Sequence, residues 1–222
     1  MPSIVRAQVD QSKFNRQHPM AWGLRLKDFE MAMEDVYDFF YDVNSNLLSK
    51  GLRRLDELIR PAALSGMLSD MITDSLANHS RGLVPNMFHN GHPDLIVRDR
   101  YPGNSIQSGT DGVEIKTTRK PGGAADSHGA RDQTLCTFVY EVDNDPSKPA
   151  HQREPLKIRE VYLADVTVAD YRKNARGELG TRTATLDAAG IAKYRQGWVY
   201  LDRPTSATAR IAKTATWRQA QP

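Results

Sequence analysis

The spacing of apolar residues changes once along the chain, and that change sets the class of fold. From Leu26 to Leu48, the residues Phe29, Met33, Val36, Tyr37, Phe40, Val43 and Leu47 recur in steps of three and four. That is the spacing of one face of an α-helix. Asp28 and Glu30 in its first turn suit the positive end of the helix dipole. Gly51 marks a break, residues 52–59 predict a short second helix stopped by Pro61, and Leu64, Met67, Leu68, Met71, Ile72 and Leu76 predict a third over 62–77. Beyond this the apolar residues alternate or cluster in short runs. Residues 95–97, 112–117, 135–142, 157–168 and 198–201 read as strands. Thr185 is expected to open a short helix through Ala188, Ile191 and Tyr194, and residues 143–155, with three prolines, read as a loop. Residues 1–25, broken by Pro19 and Gly23, read as an arm.

A helical third followed by strands and a late helix predicts an α/β (α+β) core, a small mixed sheet covered by helices. No repeat and no domain boundary stands out. The expectation is a single domain over 1–222: a mainly helical part at 1–80, a β-rich core at 92–201 and a basic tail at 203–222. The first helix, rich in aromatic residues and Met, is expected either to cover the core or to form part of a dimer face.

Composition narrows the class further. With 222 residues and 39% hydrophobic content, the chain can bury a core, which excludes wholesale disorder. The single Cys136 excludes an intramolecular disulfide framework and a cysteine zinc cluster, and fits a reducing compartment. Neither a membrane-length apolar run nor a signal-peptide core appears, so a soluble, cytoplasmic protein with no membrane partner is expected. The formal charge of +3 is unevenly spread. Arg6, Lys13, Arg16, Arg25 and Lys27 precede an acidic helix, and the tail carries Arg203, Arg210, Lys213 and Arg218 with no acid. Such separation can make a phosphate-facing surface.

The chemistry-bearing pattern is His92-Pro93-Asp94-Leu95-Ile96-Val97, followed by Gly112-Val113-Glu114-Ile115-Lys116-Thr117-Thr118. Asp94 opens one strand. Glu114 and Lys116, two apart on the next, leave the same face of it. If the two strands pair as a hairpin, Asp94 approaches Glu114. Two carboxylates and a backbone carbonyl then make an oxygen-rich nest for a hard divalent cation such as Mg²⁺, with Lys116 placed to orient water or steady a phosphate. The alternative for the same residues is an ordinary solvated strand face with Asp94 as a turn cap.

Pro93-Asp94…Glu114-Ile115-Lys116 resembles the PD-(D/E)xK nuclease superfamily, and the size and helix-then-strand order are most like a type II restriction endonuclease. The resemblance implies a restriction-endonuclease-like core and an Mg²⁺-dependent endonuclease hydrolysing double-stranded DNA to 5′-phosphate and 3′-hydroxyl ends. It implies Asp94 and Glu114 on the metal, Lys116 assisting attack, and a homodimer if the target is a palindrome. A structure-specific repair, recombination or phage nuclease is the alternative, as is a non-catalytic DNA-binding protein of the same fold.

Family members often take a further acid from the preceding helix, so Asp70 or Asp74 on the third helix, or Glu57 on the second, is a candidate extra ligand. The glycine-rich segment after the Glu114 strand supplies candidate DNA contacts: Arg119 and Lys120 for phosphates, Arg131 and Gln133 for base edges, and His128 as a further DNA-binding residue. His89 and His92 lack the partners of a zinc site. There is no GxSxG elbow, Walker A loop or dinucleotide fingerprint.

Overall fold

The computed structural model describes residues 4–123, 126–127, 129–173 and 183–202. The basic tail and His128 lie outside the described residues. Three helices come first: α1 (Leu26–Ser49), α2 (Leu55–Leu58) and α3 (Pro61–His79). The α1 start has its own clamp, since the Asp28 carboxylate accepts from the Arg25 amide at 2.9 Å. Pro61 opens α3 at the one helical position where its missing N–H costs nothing.

The strands are β1 (Leu83–Pro85), β2 (Leu95–Val97), β3 (Gly112–Thr118), β4 (Asp126–Ser127), β5 (Gln133–Glu141), β6 (Lys157–Val166), β7 (Tyr171–Lys173), β8 (Ala184–Leu186) and β9 (Trp198–Leu201). Helix α4 (Ala188–Tyr194) lies between the last two. Six strands form one sheet in the order β1-β2-β3-β5-β6-β9, parallel only between β3 and β5. The order β4-β8-β7 forms a second, small sheet. The chain is therefore a mixed α/β protein, as its changing periodicity predicts.

Each face of the main sheet has its own apolar layer. On one, Phe29, Met33, Val36 and Phe40 of α1 and Leu64, Leu68, Ile72 and Leu76 of α3 pack with Ile115, Cys136, Phe138 and Val161. The apolar stripe of α1 from Phe29 to Phe40 thus covers the core. On the other, Leu135, Val139, Tyr162 and Val166 meet Tyr171, Ala184, Leu186 and Tyr194. The N-terminal arm closes the β9 edge: Asn15 donates to the Val199 carbonyl at 2.9 Å and, through its side chain, to that of Trp198 at 3.1 Å. An edge so covered offers no template for another strand.

Two local expectations change. Thr185 lies within β8, paired with Asp126 and Arg172, and does not cap a helix. Asp187 does so instead, its carboxylate accepting from the Gly190 amide at 2.7 Å. The strand β1 was not predicted; it is three residues long, ends in Pro85 and sits at the sheet edge, where proline is tolerated.

Candidate active site

The strands β2 and β3 do pair as an antiparallel ladder, Leu95 opposite Val113 and Ile96 opposite Gly112. Gly112 is required there, because a Cβ would run into the Leu95 carbonyl. Continued by one residue, this register sets Asp94 across from Glu114. The ladder ends there, and Asp94 takes over from it: its Oδ2 accepts from the Ile115 amide at 2.8 Å. Glu114 pairs with Leu135 and Lys116 with Thr137, so both side chains leave the face opposite α1 and α3, while Ile115 faces the helices. Glu114 is buried, and its Oε1 accepts from Lys116 Nζ at 2.6 Å.

The second Glu114 oxygen is held by a residue that sequence reasoning set aside. His92 Nδ1 lies 3.1 Å from Glu114 Oε2. The His92 backbone is clamped to the following loop, donating to the Gln107 carbonyl at 3.1 Å and accepting from the Gly109 amide at 2.8 Å. On the helical side, Ser69 of α3 donates to the Ile115 carbonyl at 3.1 Å, and Thr117 donates to the Ser65 carbonyl at 2.7 Å. The site is thus fastened from both faces of β3.

Its electrostatics are unbalanced. Burial, then the neighbouring Glu114 charge, push the Asp94 carboxyl up to about 6, against the opposing pull of Lys116. For Glu114 burial works in the same upward direction, but His92 and Lys116 outweigh it and hold the group below the usual carboxylate range. Two carboxylates thus share a partly buried corner with one permanent cation. A hard divalent cation suits such a donor set, since its charge opposes both the burial and the carboxylate repulsion that raise Asp94.

No family model, curated protein or solved structure matches the chain. The site therefore rests on its own geometry.

The further acids do not gather around it. Asp70 and Asp74 lie exposed on α3, which meets β3 through Ser65 and Ser69 instead. Glu57 is engaged elsewhere, its Oε2 paired with Arg153 at 2.6 Å. Among the described residues no group of three His, Cys, Asp or Glu side chains is arranged to hold a metal ion. Asp94 and Glu114 therefore stand as a pair.

The candidate DNA contacts fall into two places. Because β3 and β5 run parallel, the segment joining them leaves one end of β3 and returns to the other. Arg131 and Gln133 thus sit at the Glu114 end, where the Gln133 amide donates to the Tyr171 hydroxyl at 2.9 Å. Tyr171 feels the charges of both Glu114 and Arg131, which puts the three in one neighbourhood. Arg119 and Lys120 are exposed at the far end, roughly 16 Å along the strand at about 3.3 Å per residue. Arg119 lines an open cleft of about 630 Å³ there, together with Arg159 and Arg195. Cys136 is fully buried in β5, and burial pushes its thiol well up, away from nucleophilic use. Among the described residues no helix is long and apolar enough to cross a membrane.

Proposed function

We propose that the chain is a divalent-metal-dependent DNA endonuclease whose mixed sheet is a restriction-endonuclease-like core. The observation that carries this reading is the convergence of Asp94, Glu114 and Lys116 at the point where the β2–β3 ladder ends. Asp94 and Glu114 are the carboxylates that would hold Mg²⁺. When bound, the ion supplies Lewis-acid polarisation of the phosphate and a more acidic water. The remaining work falls to the chain's own groups.

The Ile115 amide fixes the Asp94 carboxylate, and His92 and Lys116 fix the two oxygens of Glu114. Lys116, half-buried and on a flexible stem, is placed to swing from Glu114 to a phosphate oxygen and stabilise the charge that develops there. In the hydrolysis a P–O bond forms to water and the P–O3′ bond breaks, leaving 5′-phosphate and 3′-hydroxyl ends. Cutting both strands of a palindrome calls for two such sites, hence a homodimer on double-stranded DNA.

The test is incubation of the purified protein with methylated and unmethylated DNAs in Mg²⁺ or EDTA, beside Asp94→Ala and Lys116→Ala. Discrete Mg²⁺-dependent fragments, lost in both variants, are the expected result. A smear identifies a nuclease without site preference. Cleavage that survives either substitution, or no cleavage on any DNA, overturns the proposal.

A further inference from the structure

The turn preceding His92 exposes two large apolar side chains in succession. Met87 is 70% and Phe88 41% accessible. No two of the other large apolar side chains exposed among the described residues, Val5, Phe39, Leu52, Leu58 and Val168, are neighbours in sequence. The Met87-Phe88 pair is also held firmly. Asn86 is the hub: its side chain donates to the carbonyls of Pro93 at 3.0 Å and Ile106 at 2.8 Å, and accepts from the amides of Phe88 and Ile106, each at 3.1 Å. The Met87 amide donates to the Asn104 carbonyl at 2.9 Å, and the Gly91 amide closes the turn on the Phe88 carbonyl at 2.8 Å. A Cβ on Gly91 would strike the Ile106 carbonyl and the Asn86 side chain, so the turn has no slack.

This turn is wired to the candidate site. The backbone amide of Asn86 donates to the Asp94 carbonyl at 2.9 Å, while its side chain holds the Phe88 amide. One residue therefore fixes the position of Phe88 relative to Asp94. The turn itself brings no negative charge to a polyanion: residues 86–93 hold no Asp or Glu, and His89 lies within it. Two adjacent side chains are far too little surface for a stable protein partner, which needs roughly 1,000 Å² or more. They are the size and type of the apolar wedges that enter a base stack.

We infer that Met87 and Phe88 form a rigid wedge that enters the base stack of duplex DNA beside the scissile phosphate. The inference rests on the nuclease reading of Asp94, Glu114 and Lys116, and gives that site a substrate it must unstack as well as cut. Because the tip is pre-ordered, little conformational entropy is lost when it inserts.

The test uses the full chain carrying Lys116→Ala, so that DNA persists in Mg²⁺. A nicked plasmid is sealed by ligase with this protein bound, and the topoisomers are resolved after its removal. Unstacking untwists the duplex, so the parent is expected to shift the topoisomer distribution. Adding Met87→Ser and Phe88→Ser should abolish the shift and weaken DNA binding about tenfold. Replacing both by Leu instead, which keeps an apolar tip, should restore both. A parent that binds DNA without shifting the topoisomers, or a Ser variant that shifts them as strongly as the parent, overturns the wedge and leaves the nuclease reading standing. A Lys116→Ala parent that does not bind DNA, with a wild-type chain that does not cut it, overturns both.

Discussion

Two of the charge clusters buried among the described residues are built to opposite rules. Around Arg54 the charges balance. This side chain, 2% exposed, donates to both oxygens of Asp56, at 3.2 and 2.6 Å, and to the Glu154 carbonyl at 3.0 Å. Asn44 of α1 donates to Asp56 at 2.8 Å and accepts from the Leu55 amide at 2.7 Å. Arg153 pairs with Glu57 at 2.6 Å. Two arginines face two carboxylates, and the cluster ties α1 and α2 to the loop before β6. Around Asp94 the charges do not balance: two carboxylates face Lys116 and a histidine, and Asp94 titrates late. A buried cluster whose charges are paired holds the fold, whereas one that leaves a carboxyl raised to about 6 is a candidate functional site.

If that contrast is correct, substitutions in the two clusters should separate activity from stability. The largest effect expected is on DNA cleavage. Asp94→Ala or Lys116→Ala should lower the single-turnover rate by about a thousandfold or more, equivalent to the several kcal/mol such groups supply in a transition state. Urea unfolding of the same variants should show the fold intact. The mirror image is Asp56→Ala, which strands the Arg54 guanidinium in the interior and should cost about 4 kcal/mol in urea unfolding. Its cleavage rate at a temperature where it remains folded should be within a few-fold of wild type. A cleavage loss in Asp56→Ala as large as that of Asp94→Ala would erase the distinction.

The third effect is smaller and has the unusual sign. Asp94 has a folded pKa near 6, above its unfolded value of 3.8. A carboxyl raised in this way supports the fold when protonated, below the unfolded value, and that support is lost as pH rises through 6. At neutral pH without metal the ionised group is therefore a burden. Asp94→Asn keeps an oxygen for the Ile115 amide and removes the charge. It should stabilise the EDTA-treated protein by up to about 3 kcal/mol at neutral pH. The gain should shrink through pH 6 to 4 and vanish in more acid solution, and Mg²⁺ should reduce it by restoring the wild type. Thermal melts across pH, with and without EDTA, decide it; an Asn variant no more stable than wild type at neutral pH would mean that Asp94 is adequately paired.

The outline of both clusters was legible to different degrees. The stripes of α1 and α3 could be read because seven and six apolar residues respectively repeat at helical spacing. The strands β3, β5 and β6 carry long apolar runs or alternation, and Glu114 and Lys116 share a face simply because they are two apart on a strand. Short pieces were not readable. The strands β1, β4, β7 and β8 are two or three residues each and exist through their ladder partners, so no local period announces them. Thr185 shows how far a good capping residue can mislead when a sheet competes for it. The separation of Arg119 and Lys120 from Arg131 and Gln133 follows from the parallel β3–β5 pairing, which no local signal near those residues encodes. Asn44 and Arg54, central to the balanced cluster, carry no signature either, since burial decides their role.

His92 lies between these extremes and gives the finest test of the comparison. Its place two residues before Asp94 is visible in the chain, but its contact with Glu114 spans 22 residues and depends on the clamp to Gln107 and Gly109. If the ring orients a metal-holding carboxylate, His92 is a positioning residue, and its loss should act on the metal requirement before the chemistry. His92→Ala should raise the Mg²⁺ concentration for half-maximal cleavage about tenfold, while the rate at saturating Mg²⁺ falls much less. His92→Asn, which can present an N–H near the place of Nδ1, should recover most of the difference. A purely packing role predicts something else: lower stability in both variants, an unchanged Mg²⁺ midpoint, and no rescue by Asn. Titrations of cleavage against Mg²⁺ for the three proteins, with urea midpoints alongside, separate the two. An unchanged midpoint would move His92 out of the unbalanced cluster and leave the tuning of Glu114 to Lys116.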